Sequence, residues 1–450
     1  MQIRRSAAFL TLGCKVNQYE TDAMEELLAG AGYDIVDFKD QADVYIINTC
    51  SVTNIADRKS RQMIHRARKN NPEAVVVAAG CYVQASGEAI KEQGAADILI
   101  GNNKKKDLPA ILDDYFAARQ QITEVIDISA DKTYEDLNIH KVSGHTRAYV
   151  KIQDGCNQFC SYCIIPYARG RIRSKEPEAV IREITDLAKA GYKEVVLTGI
   201  HLSSYGKDLG TGEGPDIDLL SIIKRVNAIQ GIERIRLGSL EPRIITEDFV
   251  RGLLDCDKLC PHFHLSLQSG ADETLKRMNR HYSTLDYEKA LAILRKAYDK
   301  PALTTDVIAG FVGETEEEFE ETYAFLMKIR LYEMHIFKYS VRKGTRAETM
   351  SGHLPDQVKT MRSGRLISLA QQLKREYEET FVGTIQKVLL EEKVVIDGLP
   401  YMQGYTDRYL KVAVQFDENY QMLKQNSIIA VEVEGFLDKN LLFGKVSIEF

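Results

Sequence analysis

Continuously apolar runs alternate with amphipathic stretches along most of the chain. Residues 8–14, 44–50 and 74–81 are short, apolar and read as buried strands, with 35–38 a weaker one. Between them the apolar positions shift to helical spacing. Met24, Leu27 and Leu28 share one face of a helix that Asn17 would cap and Gly30 to Gly32 would end. A second, strongly basic helix runs to about residue 70, where Pro72 stops it. Strands alternating with helices predict a parallel α/β sheet. Residues 102–119 are helical in pattern but interrupted by Pro109, and the polar stretch 127–144 reads as a linker, with a domain boundary near 140.

The same alternation continues beyond that boundary with greater regularity. Strands are expected at 148–153, 194–198, 234–237, 262–267, 302–308 and 334–339. Helices follow at 178–190, 219–229, 247–255, 287–297, 315–329 and about 357–377. That repeat predicts a full or partial (βα) barrel. The last segment changes character. Short apolar runs at 384–391, 410–416, 428–433 and 441–448, punctuated by Gly, Asp and Asn, predict a small antiparallel β-barrel. The fold class is therefore α/β in three domains, 1–140, 141–377 and 378–450.

On this framework the cysteines fall into place. Cys14, Cys50 and Cys81 each end a predicted strand, and in a parallel sheet those ends share one edge, where open α/β sheets bind ligands. Nearby helix N-termini would favour their thiolates. Cys156, Cys160 and Cys163 lie in one short loop, C-N-Q-F-C-S-Y-C, directly after the first barrel strand and hence at the mouth where barrel active sites are built. Thiolates so spaced are iron–sulfur or zinc ligands, and three of them leave a fourth position open, the mark of a catalytic metal. On spacing alone a zinc knuckle remains an alternative for this set, and packing thiols for the dispersed one. Cys256 and Cys260 read as packing thiols.

The strand H-F-H-L-S-L-Q-S-G adds lumen chemistry. Phe263, Leu265 and Leu267 alternate with His262, His264, Ser266 and Gln268, so the polar face looks into the barrel, toward a cofactor or an internal hydrogen-bond network. Gln268, nearest the mouth, is the preferred site residue. Glu241 and Asp306 are similar strand-end polar groups, and Gly199 would let backbone approach a ligand.

Composition narrows the class. The chain has 450 residues, 44% hydrophobic and 28% charged, with no apolar run of membrane-span length. An N-terminal segment ending L-G-C resembles a lipoprotein signal, but it is short and runs straight into a helical pattern, so a cytoplasmic protein with reduced thiols is expected. The net charge of −6 does not suggest a nucleic-acid binder, yet basic residues cluster: Arg58, Lys59, Arg61, Arg66, Arg68 and Lys69; Lys104 to Lys106; Arg169, Arg171, Arg173 and Lys175. Three such runs near the cysteines favour a polyanionic substrate. In the C-terminal barrel acids outnumber Lys and Arg, so charge argues against RNA binding there, while Tyr401, Tyr405, Arg408, Tyr409 and Lys411 form a candidate stacking patch.

The C-x3-C-x2-C loop, with Tyr162 before its last cysteine, resembles the radical S-adenosylmethionine (SAM) superfamily. The whole chain resembles its methylthiotransferase family, through T-L-G-C-K-V-N-Q-Y-E, I-I-N-T-C-S-V-T, A-A-G-C, G-C-N-Q-F-C-S-Y-C-I-I-P, S-L-Q-S-G-A-D-E-T-L-K-R-M-N-R and G-F-V-G-E-T. Val312 departs from the commoner G-F-P-G-E. The resemblance implies a C-terminal TRAM domain, a 4Fe–4S cluster on Cys156, Cys160 and Cys163 whose open iron chelates SAM, and a second 4Fe–4S cluster on Cys14, Cys50 and Cys81 that carries sulfur. One SAM would methylate that sulfur and another would yield the radical. G-C-K-V-N-Q-Y-E is similar to the branch acting on threonylcarbamoyladenosine beside the tRNA anticodon. The isopentenyladenosine and ribosomal-protein aspartate branches are the alternatives, and an iron–sulfur RNA-binding sensor is the alternative from another class. The chain is read as a monomer acting on tRNA, with a reductant and a sulfur donor that the sequence does not identify.

Overall fold

The computed structural model describes residues 4–92, 94–140, 146–210, 217–416 and 423–447. The first unit runs β1 (Ser6–Thr11), α1 (Lys15–Gly30), β2 (Asp34–Val36), β3 (Val44–Thr49), α2 (Asn54–Asn70), β4 (Val75–Gly80), α3 (Cys81–Glu92), β5 (Ile98–Ile100), α4 (Leu108–Ala118) and β6 (Ile122–Glu124). All its strands are parallel, in the order β2-β1-β3-β4-β5-β6. β3 and β4 are buried along their whole length because helices cover both faces, which is why they read as unbroken apolar runs. The chain reverses direction between β1 and β3, the point at which doubly wound sheets open a crevice. Two short strands, β5 and β6, were not visible in the pattern. Pro109 sits in the first turn of α4, where its missing N–H costs nothing, so it starts that helix instead of interrupting one.

The second unit holds β7 (Arg147–Asp154), α5 (Ile165–Ala168), β8 (Arg173–Ser174), α6 (Pro177–Lys189), β9 (Glu194–Gly199), α7 (Leu219–Asn227), β10 (Arg234–Leu237), α8 (Glu247–Leu254), β11 (His262–His264), α9 (Asp272–Arg277), α10 (Thr284–Ala297), β12 (Ala302–Ala309), α11 (Glu316–Ile329), β13 (Glu333–Lys338) and α12 (Asp356–Glu379). Every expected strand and helix is present. β7, β9 and β10 form one parallel run and β11, β12 and β13 another, joined by single bridges at Ile235–Leu259 and Leu240–Leu265. Among the described residues no ladder joins β13 to β7, so the barrel is partial. Its outer faces (Val150, Val195, Leu197, Ile235, Leu237, Phe263, Leu265, Val307) pack on the helices in one continuous core. The alternate residues line the lumen.

The third unit is a closed barrel of β14 (Ile385–Ile396), β15 (Leu399–Thr406), β16 (Lys411–Gln415), β17 (Ile428–Phe436) and β18 (Leu442–Val446), in the order β14-β15-β16-β18-β17. Its pairs are antiparallel except β16–β18, which is parallel. β15 was missed, and the end of the expected strand 441–448 lies outside the described residues.

Two expectations about connections change. The segment 127–140 carries no helix or strand, but it is packed: Leu137 and Ile139 enter the barrel's core, and Tyr134 donates to the Lys151 carbonyl at 2.5 Å. It is a strap between the first two units; its continuation at 141–144 lies outside the described residues. The aromatic patch of the C-terminal barrel is not free either. Arg236 donates to the carbonyls of Thr406 at 2.5 Å and Asp407 at 2.6 Å, and its guanidinium lies 3.8 Å over the Tyr409 ring. Arg234 donates to the carbonyls of Tyr405 at 3.0 Å and Lys387 at 2.7 Å. The 406–410 turn thus plugs the bottom of the lumen, Arg147 covers Tyr405, and Tyr401 is buried. The stacking residues hold the third unit to the second.

Candidate active site

The edge of the first sheet faces the mouth of the partial barrel. Cys14 caps α1, Cys50 follows the last residue of β3, and Cys81 opens α3. The expected cap, Asn17, does another job. It lies in the first turn of α1, and its amide donates to the carbonyls of Leu12 at 2.7 Å and Thr49 at 3.0 Å. That ties together the two strand ends that carry Cys14 and Cys50. Gly13, at φ +106°, lies so close to Cys50 that a Cβ there would meet its sulfur at 2.8 Å.

The second cysteine set is positioned by backbone. The Cys156 N–H donates to the Gly170 carbonyl at 3.0 Å, and Gly155 (φ +67°) passes so near Arg171 that an added Cβ would stand 1.8 Å from its carbonyl oxygen. The Ser161 N–H and hydroxyl donate to the carbonyls of Met278 at 2.9 Å and Arg277 at 2.7 Å. The Asn279 amide donates to the Phe159 carbonyl at 3.0 Å. Tyr162 packs edge-on against Phe311 at 6.1 Å, so it braces this loop.

One cysteine in each set accepts a hydrogen bond from an arginine at the same distance. Arg169 Nε donates to Cys81 Sγ at 3.2 Å, and Arg280 Nη1 donates to Cys160 Sγ at 3.2 Å. Arg169 belongs to the barrel but serves the cysteines of the first unit. Its other nitrogens donate to Glu20 at 2.8 Å, Asp154 at 3.1 Å and Asn17 at 2.7 Å. Glu20 also pairs with Lys105 at 3.0 Å and Lys151 at 3.0 Å. Burial works against the Glu20 carboxylate, but Arg169, Lys105 and Lys151 outweigh it and hold its pKa well below the usual range. Lys105, Arg169, Arg173 and Lys175 are all buried, so one of the three lysines at 104–106 and three of the four cations at 169–175 serve the interior and not a polyanion. Sequence reasoning weighed Arg169 only as surface charge and missed Arg280. No local signal marks either, since their partners lie far off in the chain. The α2 run is different: Arg58, Lys59, Arg66 and Lys69 are exposed.

The helix ends do not activate Cys14 or Cys50. Burial pushes Cys14 up, and pushes Cys50 to about 12, Cys156 to about 11 and Cys163 to about 12. Ligation must then displace protons. Among the described residues, His264, Asp306 and His335 bring their ligand atoms within 4.8 Å of one another. Within each set the thiols are one another's electrostatic neighbours, so the three sulfurs converge, and three thiolates with a fourth position left open fit an open-iron 4Fe–4S cluster.

The remaining candidates separate. Glu241 stands among the charges around Cys156 and is ion-paired to Arg243. Gln268 adopts φ +72° and bridges Asp306 and Ile308 through its backbone, which re-aims the chain at the lumen rim. Asp306 faces the lumen, with His264 Nε2 at 3.3 Å. Gly199 does not open space for a ligand: its missing Cβ would meet the Gln153 side chain at 2.9 Å, so it serves β7–β9 packing. Cys256 and Cys260 are buried, as packing thiols are expected to be.

The chain also matches known proteins. A model described as uncharacterized protein family UPF0004 matches residues 6–101, and the radical SAM superfamily model matches residues 150–326. The threonylcarbamoyladenosine tRNA methylthiotransferase MtaB of Bacillus subtilis (strain 168) is 42% identical over 416 residues, covering 92% of this chain and 91% of that protein. The protein of the same name from Aquifex aeolicus (strain VF5) is 39% identical, covering 86% and 93%. A tRNA-2-methylthio-N(6)-dimethylallyladenosine synthase of Clostridium botulinum (strain Langeland / NCTC 10281 / Type F) is 36% identical, covering 85% of each. Among solved structures, the radical SAM methyltransferase TsrM from Kitasatospora setae shares the fold, with a TM-score of 0.55 at 14% identity, covering 86% of this chain and 77% of that one.

Proposed function

The chain belongs to the radical SAM methylthiotransferases, and from that premise we propose that it adds a methylthio group to C2 of N6-threonylcarbamoyladenosine beside the anticodon of tRNA. The observation that carries the reading is the pair of three-cysteine sets, one in the first unit and one in the barrel, each with an arginine donating to one of its sulfurs. When bound, one 4Fe–4S cluster would supply the electron that splits SAM and the other would hold the sulfur to be transferred, chemistry that an unactivated aryl C–H demands.

The protein's own residues arrange that chemistry. Cys156, Cys160 and Cys163 hold the SAM-cleaving cluster, with Arg280 donating to Cys160. Cys14, Cys50 and Cys81 hold the sulfur-carrying cluster, with Arg169 donating to Cys81. The units span 1–140, 141–377 and 378–450, the last being a TRAM-type barrel. The exposed cations of α2 supply a surface for the tRNA backbone. The enzyme works as a cytoplasmic monomer; no helix among the described residues is long and apolar enough to cross a membrane.

Mass spectrometry of tRNA nucleosides from cells lacking the gene tests this reading. Loss of methylthio-threonylcarbamoyladenosine, restored by the intact gene but not by Cys156→Ala, is the expected result. Loss of methylthio-isopentenyladenosine instead would move the protein to a sister substrate, and no change in any nucleoside would overturn the reading.

A further inference from the structure

The lumen below the cysteines is polar on one wall and carries a half-buried lysine that makes no ion pair among the described residues. On β11, β12 and β13 the lumen-facing positions include His264, Asp306 and His335, whose side-chain ligand atoms lie within 4.8 Å of one another. His264 Nδ1 is 3.0 Å from the Thr304 hydroxyl, which leaves Nε2 for the lumen. Nε2 sits 3.3 Å from Asp306 Oδ2 but outside hydrogen-bond geometry, and makes no other hydrogen bond. His335 stacks on His264 at 5.9 Å and is exposed at the open edge of the barrel. The height of this wall follows from the strand. Ser266 lies two residues on from His264, about 7 Å along the same face. Its carbonyl accepts from Arg280, the residue that donates to Cys160. Arg280 thereby ties the segment after β11 to the C-x3-C-x2-C loop.

Lys15 reaches the floor of the same space from the first unit. Its ammonium lies 5.7 Å over the Tyr409 ring, and His262, one pleat step below His264, packs edge-on against that ring at 4.6 Å. Its electrostatic neighbours are Tyr149, Arg147, Arg236 and Glu194. Five fully buried cations each hold an acid at ion-pair distance: Lys105 at 3.0 Å, Lys151 at 3.0 Å, Arg169 at 2.8 Å, Lys175 at 2.8 Å and Arg236 at 2.6 Å. Among the described residues no carboxylate pairs with Lys15. A cation that keeps no ion pair in the protein is suited to an anionic ligand. It also disfavours a metal ion on the two imidazoles and the carboxylate nearby.

Resting on the function proposed above, we infer that Lys15 binds the carboxylate of the substituent on N6 of the target adenosine, and that His264, Asp306 and His335 take its hydroxyl and carbamoyl groups. The threonylcarbamoyl group offers one carboxylate, one hydroxyl and a urea-like linkage, which match one cation and a mixed donor–acceptor wall. An isopentenyl group would leave Lys15 desolvated and unpaired, so the floor rejects it as well as selecting the anionic tail.

The test is a double-mutant cycle between the residue and the carboxylate, read as binding of anticodon stem-loops to the cluster-loaded full chain. Stem-loops carry threonylcarbamoyladenosine, its methyl ester, or isopentenyladenosine. The intact protein should bind the acid about 10- to 100-fold more tightly than the ester, the range for a charge-assisted hydrogen bond. Lys15→Gln should bind acid and ester alike, and Lys15→Arg should keep part of the preference. If Lys15→Gln retains the full acid-over-ester preference, the inference is wrong. If Lys15→Gln is short of iron, the decision passes to His335→Phe, at an exposed position. That variant must lower the intact protein's preference for the threonylcarbamoyl stem-loop over the isopentenyl one, and an unchanged preference overturns the inference. An intact protein that prefers the isopentenyl stem-loop contradicts the proposed substrate itself. One that prefers the threonylcarbamoyl stem-loop but binds its ester equally well contradicts only the role of Lys15.

Discussion

The two cysteine sets are built in opposite ways. Cys156, Cys160 and Cys163 sit in one loop, clamped by backbone and side-chain hydrogen bonds to residues 170 and 277–279 of the same unit. Cys14, Cys50 and Cys81 come from three strand ends, and a barrel arginine completes their surroundings through a buried charge network of Glu20, Lys105, Lys151 and Asp154. A local motif needs only its loop to fold. A dispersed one needs the sheet, the barrel and their docking, so its integrity is coupled to the interface between units.

That contrast breaks most sharply at Arg169. Arg169→Gln leaves Glu20 and Asp154 buried with a cation missing, a loss of about 3–5 kcal/mol for an opened buried pair. The Cys14/Cys50/Cys81 set should then lose its iron while the other keeps it, and Arg169→Lys should restore part. Iron counting with Mössbauer spectroscopy checks this, and equal loss from both sets would show that the network does not favour one.

Arg280→Gln is the mirror experiment, with a smaller effect. Removing a donor from the Cys160 sulfur disfavours the more negative, reduced cluster, so its potential should fall by tens of millivolts, where ~59 mV is a tenfold change for one electron. Redox titration followed by electron paramagnetic resonance reads this, and the other cluster should not move.

The smallest expected effect is on acidification. Burial opposes the Glu20 carboxylate, yet the cations around it hold its folded pKa well below the unfolded value, so its stabilisation is fully present above the ordinary carboxylate range and is lost as pH falls through the folded pKa. Docking of the first unit should hold from neutral pH to about pH 5 and weaken only below about pH 4, near the unfolded Glu value. Proteolysis of the strap at 127–140 reports it. Loosening between pH 7 and pH 5 would mean that another group governs the interface.

The same contrast explains what was legible in the sequence. The barrel strands and helices were visible because each keeps one outer apolar face, giving clean periods of 2 and 3.6. The second cysteine set was visible by spacing, and the first only through topology, because three strand ends of a parallel sheet share an edge. Side-chain destinations were not visible. Arg169, Arg173, Lys175 and Lys105 look like surface charge until their partners fold onto them; Glu20 lies 149 residues from Arg169. Asn17 has the chemistry of a cap, but the helix starts two residues earlier and frees its amide to join two strand ends. Tyr409 has the look of a stacking residue, but its turn is the plug that docks the C-terminal barrel.

The central claim is that the two sets do different work in one reaction. The most direct measurement takes Cys50→Ala protein, reconstituted with iron and sulfide, and follows SAM cleavage and methylthio-nucleoside formation in the same tube. The account predicts about four irons per chain in place of about eight, continued SAM cleavage and no methylthio product, whereas Cys156→Ala loses both activities. Methylthio product from Cys50→Ala, or loss of SAM cleavage along with it, would contradict the division of labour.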